Sequence, residues 1–186
     1  PSAAARPRPA PATRDLAAYN LMDSAHLQEA DVGHVDRRRV AEGRTAFEPL
    51  YTQQDALAAL KQFVAIDYDQ PFEVVPGMTV HFRDAGHILG SASVVVDLEE
   101  SARRVRLLFS GDIGRGGLAI LRDPEVPADV DVVIMESTYG DRHHETPDEA
   151  KTLLRRVIHD TCVARRGKLI VPAFALGRTQ EIVYRL

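Results

Sequence analysis

The stretch MTVHFRDAGHILGSASVVVDLEESARRVRLLFSGD, residues 78–112, decides the fold. Residues 78–84 alternate Met78, Val80 and Phe82 with Thr79, His81 and Arg83, the period of two expected of a half-buried strand. Residues 93–98 and 104–109 read as two further strands. The first of the three runs into a loop that delivers His87, and the third into a loop that delivers Asp112. Further on, residues 132–135 are apolar on both faces, as a central strand would be, and the loop behind them, in VVIMESTYG, delivers Glu136. If these strands neighbour one another in one sheet, their ends place an imidazole and two carboxylates along a single edge, which makes that edge a metal-site candidate. Gly86 and Gly90 flank His87, and Gly111 precedes Asp112, so the backbone can turn sharply beside an ion or substrate. A lone Gly-His or Ser-Gly-Asp is commonly no more than a capped turn. The ordered set is far more specific.

Outward from this stretch the pattern is helical. Residues 1–12, PSAAARPRPAPA, are rich in Pro, Ala and Arg without periodicity and read as a disordered lead-in. From Thr13, the residues Leu16, Ala17, Leu21, Met22 and Ala25 recur at helix spacing toward a stop near Gly33. Thr52 can cap a second helix whose apolar stripe is Ala56, Leu57, Leu60 and Val64. On the other side, Thr146-Pro147-Asp148-Glu149 opens a helix with a capping box and proline at its first position. Leu153, Leu154, Val157, Ile158 and Cys162 form its expected buried face, with Cys162 a small buried hydrophobe. Residues 168–171 read as a short strand, and the pattern turns helical again after Gly177. That last helix reaches Leu186 with Ile182 and Val183 in phase and no capping residue, so the chain reads as cut within an element.

Composition bounds the rest. A chain of 186 residues, 45% hydrophobic and 27% charged, is globular, with room for one domain or one domain and part of another. No apolar run approaches the roughly 20 residues of a membrane span, and residues 1–12 lack a signal-peptide core. With a single cysteine, Cys162, no internal disulfide can form, and a reducing, cytoplasmic location is the expectation. The net charge of −4 does not announce a nucleic-acid binder, and the runs Arg37-Arg38-Arg39 and Arg103-Arg104 read as solvated faces. Among the remaining histidines, His81 falls on the polar side of its strand and is expected in solvent. His143 and His144 lie in a polar loop, while His26 and His34 read as structural. The turn Gly177-Arg178-Thr179 either offers helix amides to a phosphate or simply eases a strand-to-helix connection.

The ordered series GHILGS, SGDIG, ESTYGDR and PAFALGRTQE resembles the metallo-β-lactamase fold nucleases of the β-CASP group. That group includes bacterial ribonucleases and the endonuclease subunit of the eukaryotic pre-mRNA 3′-end processing complex. RDLAAYNLMDSAHLQE is also similar to the segment those proteins place ahead of these motifs, so the resemblance covers residues 12–186. It implies an α/β fold, the αβ/βα sandwich of two facing sheets with helices outside, here without its N-terminal strands. Residues 13–140 would be that partial core, and residues 141–186 the start of an inserted α/β β-CASP domain that covers the metal cleft and holds RNA.

The resemblance further implies two zinc ions in the intact protein, with His87 as the zinc-binding histidine of the third motif and Asp112 as the carboxylate bridging both ions. Glu136 would be the acidic residue at the junction with the β-CASP domain, acting in catalysis by orienting a histidine that lies further along than this chain extends. The departure is as informative. The signature His-x-His-x-Asp-His is absent from residues 1–186, and two ligands cannot hold a dinuclear site. The reading is therefore of a zinc-dependent ribonuclease when intact, with RNA as partner, no membrane attachment, room for a homodimer, and no activity expected of these residues alone. A small-molecule hydrolase of the same fold, such as a thioesterase or lactonase, and a scaffold subunit without a metal site stand as alternatives.

Overall fold

The computed structural model describes residues 8–141 and 146–185. They belong to two compact units, Pro1–Met135 and Glu136–Leu186, where the sequence reading places the division after Gly140.

The first unit opens with helix α1 (Pro11–Ala41), which starts two residues ahead of the expected Thr13. The lead-in read over residues 1–12 is accordingly corrected at its end: Ala10 is buried, Ile66 N donates to Pro9 O over 2.9 Å, and the Arg8 guanidinium lies over the Phe72 ring. Residues 1–7 are outside the described residues. Helix α1 also runs through Gly33, where a stop was expected. No atom comes within 4 Å of the space a Cβ would fill at Gly33, so it costs only its intrinsic propensity, about 1 kcal/mol against alanine. The helix ends instead at Ala41, and Gly43 just past its cap Glu42 has a φ of 71°, the left-handed conformation that closes helices.

Helix α2 (Gln53–Leu60) is capped by Thr52 as expected, and the cap is a full capping box: the Thr52 hydroxyl accepts from Asp55 N at 3.2 Å, and its N–H donates to Asp55 Oδ2 at 2.9 Å. Ala56 is buried, but Val64 lies beyond the helix end, so the apolar stripe is shorter than foreseen. Gln53 Nε2 ties this helix to α1 by donating to Glu29 Oε2 at 2.7 Å.

Five strands follow: β1 (Phe72–Val75), β2 (Met78–Asp84), β3 (Ala92–Glu100), β4 (Arg103–Phe109) and β5 (Val132–Ile134). They form one sheet in chain order, the first four antiparallel and β5 parallel to β4. The register sets Asp84 against Ala92 and Val94 against Phe109, so β2 and β4 end at the same edge of the sheet. Strand β1, four residues long, had no clear signal in the sequence. Strand β5 corrects an expectation: it is the last strand in the order, and Val132, Val133 and Ile134 are each about half exposed rather than covered on both faces. Apolar composition alone cannot tell a strand that has a neighbour on each side from one that has a neighbour on one.

The face carrying Val95 and Leu108 is the best buried, and it holds charge. Asp97 on β3 receives Arg106 Nε at 2.8 Å and Arg106 Nη2 at 3.1 Å from β4, a two-pronged cross-strand pair. His81, expected in solvent, instead sits beside this pair with its side chain only 14% exposed and Nε2 3.6 Å from Asp97 Oδ2. Burial first, and the Arg83 guanidinium next, hold its pKa below the usual histidine value. The polar face of this sheet is thus a covered one, which the alternation by itself does not reveal.

In the second unit, α3 (Pro147–Ile158) starts with the expected capping box, Thr146 N donating to Glu149 Oε2 at 3.0 Å. A π-helical turn, His159–Ala164, follows. Cys162 sits in that turn and is exposed, contrary to the buried position expected; the wider turn rotates it off the regular helical stripe. Residues 168–171 form no strand: Ile170 is 88% exposed, and Leu169 and Val171 line a groove with Leu153, Leu154 and Val157. After Gly177, helix α4 (Arg178–Arg185) follows, with Thr179 Oγ1 donating to Phe174 O at 2.7 Å and Glu181 N to Gly177 O at 3.0 Å, contacts that serve the chain connection. His143 and His144 lie outside the described residues. Among the described residues, no helix is long and apolar enough to cross a membrane.

Asp97 provides a test of the sheet. The hydrogen bond from Arg106 holds its carboxyl below the ordinary value of 3.8, so its contribution is present above that pH and is lost as pH falls through the lower folded value. Asp97→Asn is expected to lower the unfolding free energy by on the order of 2 kcal/mol at neutral pH, less than a fully buried pair because Arg106 reaches solvent. Urea titrations across pH check this, with the gap between variant and parent closing in acid.

Candidate metal centre

The chain leaves β2 at Asp84, and the next seven residues are folded by their own polar groups. Asp84 Oδ1 accepts from Gly86 N at 2.9 Å, an Asx turn that swings the backbone over. Ser91 Oγ then accepts from His87 N at 3.0 Å and from Ile88 N at 3.2 Å, while Ser91 N donates back to Ile88 O at 3.0 Å. The imidazole of His87 is therefore carried on a loop in which the N–H groups of Gly86, His87, Ile88 and Ser91 are satisfied internally. Outside it, Tyr68 Oη donates to Ser91 O at 2.9 Å, and Thr13 Oγ1, in the first turn of α1, donates to Gly90 O. Ser93 Oγ reaches from β3 to Ser110 O at 2.8 Å, joining this loop's far end to the loop of Asp112.

Strand β4 passes into the Asp112 loop at Ser110, whose N–H donates to Ile134 O at 3.0 Å. The two loops then meet backbone to backbone. Gly114 N donates to Ala85 O at 2.8 Å, and a Cβ on Gly114 would overlap the Gly86 carbonyl and stand 2.7 Å from His87 N. The need at Gly114 is for space, since its φ is not in the left-handed region. Gly86 needs both: its φ is 61°, and a Cβ there would stand 2.7 Å from Arg122 O. The segment bearing Arg122 is pinned in turn by Glu125 N donating to Asp84 O at 2.8 Å.

This close packing brings His87 Nε2 to 3.8 Å from Asp112 Oδ2. The separation exceeds a hydrogen bond, and both side chains face solvent, 44% and 73% exposed. Zinc–nitrogen and zinc–carboxylate bonds are each about 2 Å long, so together they span about 4 Å and one ion can touch both atoms. Among the described residues, no group of three His, Cys, Asp or Glu side chains comes together. The pair has the chemistry of two donors to a zinc ion and does not complete a four-donor shell. Glu136, two residues past β5, begins the second unit, and its Oε2 accepts from Thr138 N at 2.7 Å. His26 and His34 lie exposed on α1, the latter 3.3 Å from an Arg37 guanidinium nitrogen.

Three contributors had no role assigned from sequence, although Ser91 and Gly114 close the motifs GHILGS and SGDIG. Asp84 and Ser91 build the His87 loop, and an Asp two residues before a glycine is a turn signal that was there to be read. The contact of Gly114 with Gly86 had no such signal, because the approach of two loops distant in sequence leaves no local pattern.

No family model matches the chain. Known proteins do. Over 137 residues it is 37% identical to Endoribonuclease ysh1 of Schizosaccharomyces pombe, covering 73% of this chain and 17% of that protein. It is 34% identical over 136 residues to an RNase J-like protein of Methanocaldococcus jannaschii, covering 72% of this chain and 31% of the relative. It is 37% identical over 135 residues to Cleavage and polyadenylation specificity factor subunit 3-I of Arabidopsis thaliana, covering 72% and 19%. The chain thus spans between 17% and 31% of the length of these curated relatives.

Gly114→Ala is expected to force the two loops apart, at a cost of about 1–3 kcal/mol or more. Ile113→Ala, at a position 43% exposed, should cost less than half as much. Denaturant titration of the two variants gives the comparison, and equal stabilities would show that the glycine contact does not set the loops.

Proposed function

Because this chain belongs to the metallo-β-lactamase fold nucleases of the β-CASP group, we propose that the intact protein is a zinc-dependent phosphodiester hydrolase acting on RNA. The observation that carries this reading is the 3.8 Å approach of His87 Nε2 to Asp112 Oδ2 at the sheet edge where β2 and β4 end. The relatives' names, endoribonuclease and RNase J-like protein, favour RNA over a small-molecule substrate. The mixed α/β architecture with its five-stranded sheet is consistent with a metallo-β-lactamase type of fold.

In this reading His87 presents Nε2 and Asp112 presents a carboxylate to the metal, both fixed by the Gly86–Gly114 contact rather than by burial. Zinc, when bound, supplies water of lowered pKa and positive charge for the phosphoryl oxygens. The remaining donors are groups that the described residues do not provide. Asp84 and Ser91 are positioning residues, holding the His87 loop through Gly86 N, His87 N and Ile88 N. Glu136 acts at the junction with an inserted β-CASP domain whose start is residues 141–186, orienting a histidine further along the protein. The reading places the protein in the cytoplasm, with RNA as partner and a homodimer as the assembly to test.

In the full-length protein, Asp112→Asn and His87→Ala are each expected to cut RNA cleavage by at least about a hundredfold, since even residues that only support a metal ligand cost 10–100-fold. Thermal unfolding should stay near that of the parent, because both side chains are exposed. Wild-type turnover in either purified variant refutes the roles given. Elemental analysis of residues 1–186 alone is expected to find well under two zinc ions per chain.

A further inference from the structure

The carboxyl end of α1 gathers cations. Arg37, Arg38 and Arg39 are consecutive, and Arg44 returns past the Gly43 turn to line, with Arg38 and Arg39, a cleft of about 490 Å³. Glu42, on the wall of this cleft, stands 3.4 Å from Arg38 and 3.5 Å from Arg44, so two guanidiniums share one counter-charge. Arg37 meets His34 Nδ1 at 3.3 Å and no carboxylate among the described residues. Asp36 is engaged elsewhere, accepting from Phe47 N at 2.8 Å. The Arg39 guanidinium lies 3.9 Å from the centroid of the Phe47 ring, which is 53% exposed.

A helix C-terminus attracts cations through its dipole, and that accounts for Arg38 and Arg39 in the last turn. It accounts neither for Arg44 beyond the helix nor for an exposed aromatic ring beside it. Guanidiniums next to an exposed ring are the arrangement that holds single-stranded nucleic acid, with phosphates on the cations and a base stacked on the aromatic or guanidinium plane. An acidic protein surface would answer the charges and leave Phe47 without a role.

We infer that this cleft is a docking site for the phosphate backbone of single-stranded RNA, separate from the His87–Asp112 loops. The inference rests on the RNA reading above and adds where the strand is held. Thr13, bonded to Gly90 O in the His87 loop, and Arg38 lie 25 positions apart on one helix, roughly 38 Å at 1.5 Å per residue. At about 3.4 Å per nucleotide a stacked RNA of roughly 11 nucleotides spans this distance, and an extended single strand does so with roughly half that number. Helix α1 is then a spacer between the gripping site and the cutting site.

The test uses the full-length protein and oligouridines of about 20 and about 3 nucleotides, the latter too short to span the helix even when extended. Replacing Arg37, Arg38 and Arg44 with Gln should raise KM for the longer RNA about tenfold or more, with kcat and cleavage of the shorter RNA unchanged. In an Asp112→Asn background, the salt dependence of binding the longer RNA should flatten by about 2, near 0.7 for each phosphate no longer neutralised. The corresponding Lys triple variant should retain the slope, and Phe47→Ala should weaken binding about fivefold or more. An unchanged KM and slope in folded Gln variants overturn the site while leaving the ribonuclease reading intact. Equal displacement of RNA by polyglutamate, with no effect of Phe47→Ala, assigns the cleft to an acidic protein and overturns the RNA site. If the parent cleaves no RNA, the functional reading falls, and the binding arm still decides whether the cleft holds RNA.

Discussion

The backbone of Gly114 lies against the backbone of Gly86, and the geometry of the site depends on that contact. Two loops that leave the same sheet edge would ordinarily be kept apart by side chains. Here neither has one at the meeting point, and the N–H of Gly114 closes onto Ala85 O. The sheet register supplies the rest, since β2 and β4 flank β3 and end level with each other. The imidazole and carboxylate are brought near each other although both remain in water. Exposure matters, because a buried carboxylate without a partner cation would be costly, whereas these two groups are solvated.

What holds the loops is local, and what covers the sheet is not, which explains what could be read from sequence. The bounds of β2 follow from a clean alternation, and the starts of α2 and α3 follow from Thr52 and Thr146 with their acidic partners three residues on. These signals act within one turn or one strand. The failures are statements about neighbours: β5 lies at the end of the sheet order, Ile170 is exposed, and His81 is covered. An apolar or polar pattern states which surroundings a face favours, and only the tertiary structure states whether it has them. That His87 and Asp112 fall at one sheet edge was legible because each sits directly behind a recognisable strand. The contact made by Gly114, on which their separation depends, was not.

Charge follows the same logic. A net charge of −4 says little about where a polyanion could be held, since association responds to the local field. Arg37, Arg38, Arg39 and Arg44 collect at one end of α1, while the other end touches the loop that carries His87. A 31-residue helix thus joins a cationic cleft to the candidate metal centre, and a run that reads as an ordinary solvated face acquires a geometric relation to the chemistry.

The central claim is that one ion is shared by His87 and Asp112. Anomalous diffraction at the zinc edge, from crystals of the full-length protein grown with zinc, tests it directly. The account predicts a peak about 2.0–2.2 Å from both His87 Nε2 and an Asp112 carboxylate oxygen. Zinc bound elsewhere with these two side chains apart would contradict it.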